Sequence, residues 1–124
     1  MPKKRVIDCG NCGPDHASIS RLLKQLFDVE IIQTDAARDT LEELRRQKAD
    51  LVLVNRKLDI DYSDGLEVIK QIKAEDDLQE VPVMLVTNYE EYQQQAQALG
   101  ALPGFGKLQL NDPQTRQRLT AILG

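Results

Sequence analysis

The chain has 124 residues with a formal net charge of −4, and 41% of them are apolar and 29% charged. That is the profile of a single globular domain over residues 1–124, and it argues against nucleic acid as a partner, because holding phosphates takes an excess of Lys and Arg. No apolar run approaches the roughly 20 residues that cross a bilayer, and the N-terminus lacks an apolar signal core, so a cytoplasmic chain with no membrane partner is expected.

In chain order, Lys3, Lys4 and Arg5 read as the solvated start of a first strand over 5–9, in which Asp8 is an unusual carboxylate. Pro14 suits a first helical position and Asp15 the positive end of that helix. Ile19, Leu22, Leu23, Leu26 and Phe27 then fall on one helical stripe. A strand over 29–34 precedes a weaker helix over 36–47, with Ala37, Leu41 and Leu44 facing in. The runs 51–54 and 81–86 are nearly continuous in Val, Leu and Met, as parallel strands covered on both faces require. Between them a helix opens near Asp64 and Gly65 and buries Leu66, Ile69 and Ile72. A fourth helix over 90–99 carries four glutamines, which leave Tyr92, Ala96 and Leu99 to pack. The weakest strand, 101–105, precedes a last helix opened by Pro113, with Leu119, Ile122 and Leu123 turned inward. Strands alternating with helices at this spacing predict an α/β fold: a (βα)5 doubly wound, flavodoxin-like, five-stranded parallel sheet. Its site lies at the carboxyl ends of the strands.

Gly10, Asn11 and Cys12 follow the first strand there, Asn55, Arg56 and Lys57 the third, Thr87 and Asn88 the fourth, and Gly106 and Lys107 the fifth. Thr87 and Lys107 in that order, with Asp64-Gly65 opening the third helix and Gly100-Ala101 before the last strand, resemble the CheY-like receiver domain of bacterial response regulators. The resemblance covers the whole chain. It implies a phosphoacceptor carboxylate at Asn55, an acidic Mg²⁺-binding pair at Gly10 and Asn11, phosphate-following and phosphate-binding roles for Thr87 and Lys107, and a switch aromatic at Phe105. A shift of two residues in the first strand would place Asp8 and Cys9 at the pair instead. Leu108 stands where the family usually has Pro.

The departures fall on the chemistry. A carboxamide is a poor nucleophile towards phosphorus, and Mg²⁺ wants anionic oxygens where this chain offers Gly10 and two amides. The resemblance therefore implies a degenerate pseudo-receiver that is not an enzyme, uses no cofactor, and binds Mg²⁺ weakly or not at all. It would act through protein partners in two-component signalling. The family's output face, fourth helix, fifth strand and fifth helix, would present Tyr89, Tyr92, the run from Gln93 to Gln97, and Phe105, and it allows a homodimer.

Two alternatives rest on other residues. Asp59 could serve as an unconventional phosphoacceptor. Cys9 and Cys12, with His16 nearby, could form a redox or metal-sensing site, although a thiol in a strand and a His in a helix converge poorly and Pro14 should delay the helix beyond both thiols. Asp59, Asp61 and Ser63 also resemble the DxDx[ST] signature of haloacid-dehalogenase-like phosphatases, and the loop resembles an EF-hand, but the spacing fits neither; an acidic docking loop is the simpler reading. His16 is expected on the helix surface. Asp8, costly to bury alone, is expected to pair with Lys107 across the space left by Gly10.

Overall fold

The computed structural model describes residues 3–124, so the first two residues of the expected domain lie outside it. Five strands alternate with five helices: β1 (Lys4–Cys9), α1 (Gly13–Leu26), β2 (Val29–Thr34), α2 (Ala37–Arg46), β3 (Leu51–Asn55), α3 (Gly65–Ala74), β4 (Val83–Val86), α4 (Glu90–Ala98), β5 (Leu102–Phe105) and α5 (Pro113–Leu123). The strands form one parallel sheet in the order β2-β1-β3-β4-β5. The expected doubly wound sheet is thus the observed one.

Alternation along the central strands sorts the core into two layers. Val6, Leu51, Leu53 and Met84 point towards Ile19 and Leu23 of α1 and Leu119 of α5. Ile7, Cys9, Val52, Val54 and Leu85 point the other way, towards Leu44, Ile69, Ile72 and Ala96 of α2, α3 and α4. Because the strand order reverses between β1 and β3, the crevice of the sheet opens at their carboxyl ends, beside Gly10 and Asn55.

Four expectations are corrected here. Arg5 is not solvated: only 2% of it is exposed, and its guanidinium donates to the Gln47 carbonyl at 2.7 Å and meets Glu43. The free carbonyls at the end of α2 give a strand-start cation somewhere to go. β4 is shorter than expected because Val81 closes a turn on Leu78 and Pro82 has no N–H to donate; the Pro82 carbonyl still accepts from Val52 at 2.9 Å.

The third concerns α4, where Gln93 was expected to face water and is 6% exposed. The pairing of β4 with β5 slips between Met84 and Val86. Gln93 repairs the gap: its amide donates to the Leu85 carbonyl at 2.9 Å, and its Oε1 accepts from the Gly104 N–H, also at 2.9 Å. A glutamine expected in water therefore supplies two missing ladder bonds between strands. Phe105 is likewise 1% exposed, packed among the α1 and α5 side of the core, so it is not presented on an output face.

Candidate functional site

The carboxyl edge is assembled from four loops. Asn55 ends β3, and its side-chain amide donates to the Lys57 carbonyl at 2.6 Å and the Gly10 carbonyl at 3.4 Å. Gly10 takes φ +81, open to glycine and costly for other residues, and a Cβ there would collide with Leu58. The space expected to lie open beside Gly10 is therefore filled by Leu58, which is 3% exposed. The β3–α3 loop closes on itself: Leu58 N–H donates to the Ser63 carbonyl at 2.9 Å, and Asp64 caps α3 by accepting from Leu66 N–H at 2.9 Å. Asp61 spends one oxygen on Ser63 N–H and Oγ, which hold its carboxyl below the usual carboxylate value. The DxDx[ST] run is a self-bonded turn. Asp59 donates its N–H to the Gly10 carbonyl at 2.9 Å but does not line the cleft described below.

Thr87 and Lys107 take the places expected of them, just beyond β4 and β5. Thr87 is buried, with its N–H on the Phe105 carbonyl and its hydroxyl accepting from Tyr89 N–H at 3.3 Å. Asn88 accepts from Leu108 N–H at 3.1 Å, tying the β4 and β5 loops together. Asn55, Thr87 and Lys107 line one cleft of about 580 Å³, whose further wall is Arg56, Lys57, Asn88, Tyr89 and Tyr92. Arg56 lies 4.0 Å over the Tyr92 ring, and Tyr89 stands edge-on to Tyr92 with centroids 6.2 Å apart. In the sequence the Arg56–Tyr92 stack shows only as a cation one residue past β3.

Asp8 does not pair with Lys107. It is fully buried, and it accepts from Asn11 Nδ2 and His16 Nδ1, each at 2.6 Å. With its hydrogen on Nδ1, the His16 ring turns Nε2 to Ser20 Oγ at 3.5 Å. His16 is thus a partner of a buried carboxylate rather than a free surface residue. Asp8 shares with Val6 the face of β1 that looks at α1, and it is Asp15, in the first turn of α1, that reaches Lys107 at 2.8 Å. The same Asp15 oxygen accepts from the Cys12 thiol at 3.2 Å.

The three thiol-site candidates separate. Cys9 belongs to the core layer under α2, its thiol on the Ala36 carbonyl and pushed up by burial, while His16 turns to Asp8 on the opposite face of the sheet. Cys12 is the residue capping α1, one step closer to the helix than Pro14 had implied, because Gly13 and not Pro14 begins it. Among the described residues no group of His, Cys, Asp and Glu is placed to hold a metal ion, and no helix is long and apolar enough to cross a membrane.

The hydrogen bond from Lys107 leads the causes that hold Asp15 below its ordinary value of 3.8, with a smaller contribution from Cys12. A carboxyl whose pKa is depressed on folding stabilises the fold above its unfolded pKa and loses that contribution as pH falls through the folded one. Lys107→Met is therefore expected to lower the urea midpoint at neutral pH. The difference from the parent should begin to shrink below roughly pH 4, where the unfolded carboxyl protonates, and close once pH has fallen through the depressed folded value. An equal deficit at pH 3 and pH 7 would mean that lost packing, not the ion pair, is responsible.

Comparison with known proteins gives a consistent result. The sequence pattern of the response regulator receiver domain matches residues 14–107, a span that holds Asn55, Thr87 and Lys107 and leaves out Gly10 and Asn11. Sporulation initiation phosphotransferase F of Bacillus subtilis (strain 168) is 35% identical over 98 residues, which are 75% of this chain and 76% of that protein. In structure the chain is similar to the signal receiver domain of a DNA-binding response regulator from Colwellia psychrerythraea 34H, with a TM-score of 0.79 at 20% identity, covering 96% of this chain and 97% of that one. It is also similar to the chemotaxis response regulator CheY4 of Vibrio cholerae, with a TM-score of 0.76 at 17% identity, over 98% of this chain and all of the other.

Proposed function

The chain belongs to the response regulator receiver domain family of two-component signalling, and on that premise we propose that it is a pseudo-receiver, which signals through protein contacts without taking a phosphoryl group at the end of β3. One observation carries this reading. The side chain at that place is Asn55, a carboxamide whose N–H is spent on the Lys57 and Gly10 carbonyls. In-line attack on phosphorus needs a carboxylate oxygen there, and the neutral amide oxygen is a far weaker nucleophile.

The residues beside it do not fit Mg²⁺. Gly10 has no side chain, and Asn11 commits its amide nitrogen to Asp8, leaving one buried neutral oxygen, Oδ1, without a partner. Both oxygens of Asp8 already have donors in Asn11 and His16. A hard dication that prefers several anionic oxygens finds none free at this point, so no step through the metal is derived. Lys107, meanwhile, is engaged by Asp15 of α1, a contact internal to the chain.

The relative in Bacillus subtilis is a phosphotransferase by name; for this chain the counterpart would be recognition of the same kinds of signalling protein without transfer. The α4–β5–α5 face remains the candidate docking surface. On it Tyr89 is exposed and Tyr92 half-buried, while Gln93 and Phe105 belong to the interior.

Incubation with acetyl phosphate and Mg²⁺ is expected to leave the intact mass unchanged. Asn55→Asp alone should also fail to take up phosphate efficiently, since it restores the acceptor and not the metal acids. A stable gain of one phosphoryl group by the parent chain would refute the pseudo-receiver reading, and mapping that group to Asp59 would establish the unconventional acceptor.

A further inference from the structure

We propose that the cleft beside Asn55 is a binding site for a small planar aromatic anion, such as a ring bearing a carboxylate or a phosphate monoester. The proposal rests on the reading that Asn55 is not a phosphoacceptor, because a phosphorylated side chain would occupy the same space.

Charge is the first argument. The whole chain is acidic, at −4, yet the cleft is lined by Arg56, Lys57 and Lys107 against the single carboxylate of Glu91. A cleft walled by low-dielectric protein concentrates the field of such groups and selects an anion. Within it, the Thr87 hydroxyl accepts from Tyr89 N–H and keeps its own hydrogen to donate, a polar contact of the kind that fixes an anion's orientation.

Arg56 is the second. Its guanidinium makes no ion pair among the described residues, and its Nε–H is buried with no acceptor. Arginine left in that state is uncommon, because an unmade hydrogen bond to a charged group is costly. The guanidinium carbon sits 4.0 Å over the Tyr92 ring, which holds the cation at the cleft wall before any ligand arrives.

Shape and aromatic content are the third. A volume of about 580 Å³ is that of a site for a compact organic molecule rather than for a bare ion. At its lip Tyr89 is 64% exposed, held edge-on to Tyr92, and offers a ring face against which a second ring packs. Lys107 lines the cleft while its ammonium lies 2.8 Å from Asp15, so the anion competes with Asp15 for it.

The test is an NMR titration of the full chain, following the amides of Asn55, Thr87, Asn88 and Lys107. Adenosine 5′-monophosphate and benzoate serve as ring-bearing anions, inorganic phosphate and acetate as ringless anions, and adenosine as a neutral ring. At least one ring-bearing anion is expected to give saturable shifts confined to the cleft, about tenfold tighter than its ringless counterpart and than adenosine. Which of the two binds distinguishes phosphate from carboxylate ligands. Arg56→Leu, shown to be folded by its own spectrum, should weaken binding about tenfold, and Asp15→Asn, which releases Lys107, should tighten it by a similar factor. Absence of saturable shifts with both ring-bearing anions overturns the proposal, as does equal binding of inorganic phosphate or an affinity indifferent to Arg56. Intact mass after acetyl phosphate treatment reports separately on the pseudo-receiver reading, so failure of either is recognised without the other.

Discussion

Gly65→Ala is expected to cost about 3 kcal/mol of stability, at the upper end for a single added methyl group. Gly65 is the first residue of α3, directly after the Asp64 cap, and it is buried. Alanine at an exposed helical position normally gains up to about 1 kcal/mol over glycine, so the sign itself is informative. Here the new Cβ would run into the carbonyl oxygen of Asn55 and come within 3.1 Å of Val54 Cγ1. That carbonyl cannot step aside, because Asn55 is in register with Val86 and the next N–H, of Arg56, is bonded to the Val86 carbonyl at 3.2 Å. The helix must retreat instead, prising Leu66, Val68 and Ile69 from the core. Urea unfolding measures the loss. The amide signals of Asn55 and Thr87 should move in the same variant, since the collision is with the strand that carries the cleft. A neutral or stabilising outcome would show that α3 does not approach β3 so closely.

That close approach was only half legible in the sequence. Asp64-Gly65 marked the start of a helix, and Val-Leu-Val marked a covered strand, but neither pattern says that the two backbones touch. The same division runs through the molecule. Element order, sheet class and the gathering of Asn55, Thr87 and Lys107 at one edge follow from periodicity and from the rule that parallel strands present their carboxyl ends together. Pairings between elements do not. Nothing in a run of glutamines marks Gln93 as the one that bridges Leu85 and Gly104, because the gap it fills is created by a slip in another pair of strands. Arg5 looked like surface because cations usually are, and it is buried because the end of α2 happens to present carbonyls to it. Asp8 was rightly singled out as needing a partner, and the partner was wrongly assigned: within reach lay two candidates on its own loop and helix, Asn11 and His16, and proximity along the chain won over Lys107.

His16→Ala should lower stability by about 3 kcal/mol, because it strips one of two donors from a carboxylate sealed inside the protein. Asp8 is 0% exposed, sits level with Gln33 of β2 and Leu53 of β3, and has no water-facing side from which to recover the lost bond. His16→Asn should lose much less, since its Nδ2 can replace the ring Nδ1 as donor. Asp8→Asn combined with His16→Ala should cost less than the two single changes added together, because the neutral amide no longer leaves a charge unpaired. Strict additivity would show that the two residues contribute independently. The consequence reaches the cleft, because the His16–Asp8 bond pins the first turns of α1 to the end of β1, and Asp15 sits in that same turn. A variant that frees the helix should also loosen Asp15 from Lys107. The Asp15 carboxyl, followed by NMR, is therefore expected to rise towards its ordinary value in His16→Ala and to stay depressed in His16→Asn. Were both variants to leave Asp15 depressed, the buried pair would support the fold alone, with no hold on the site.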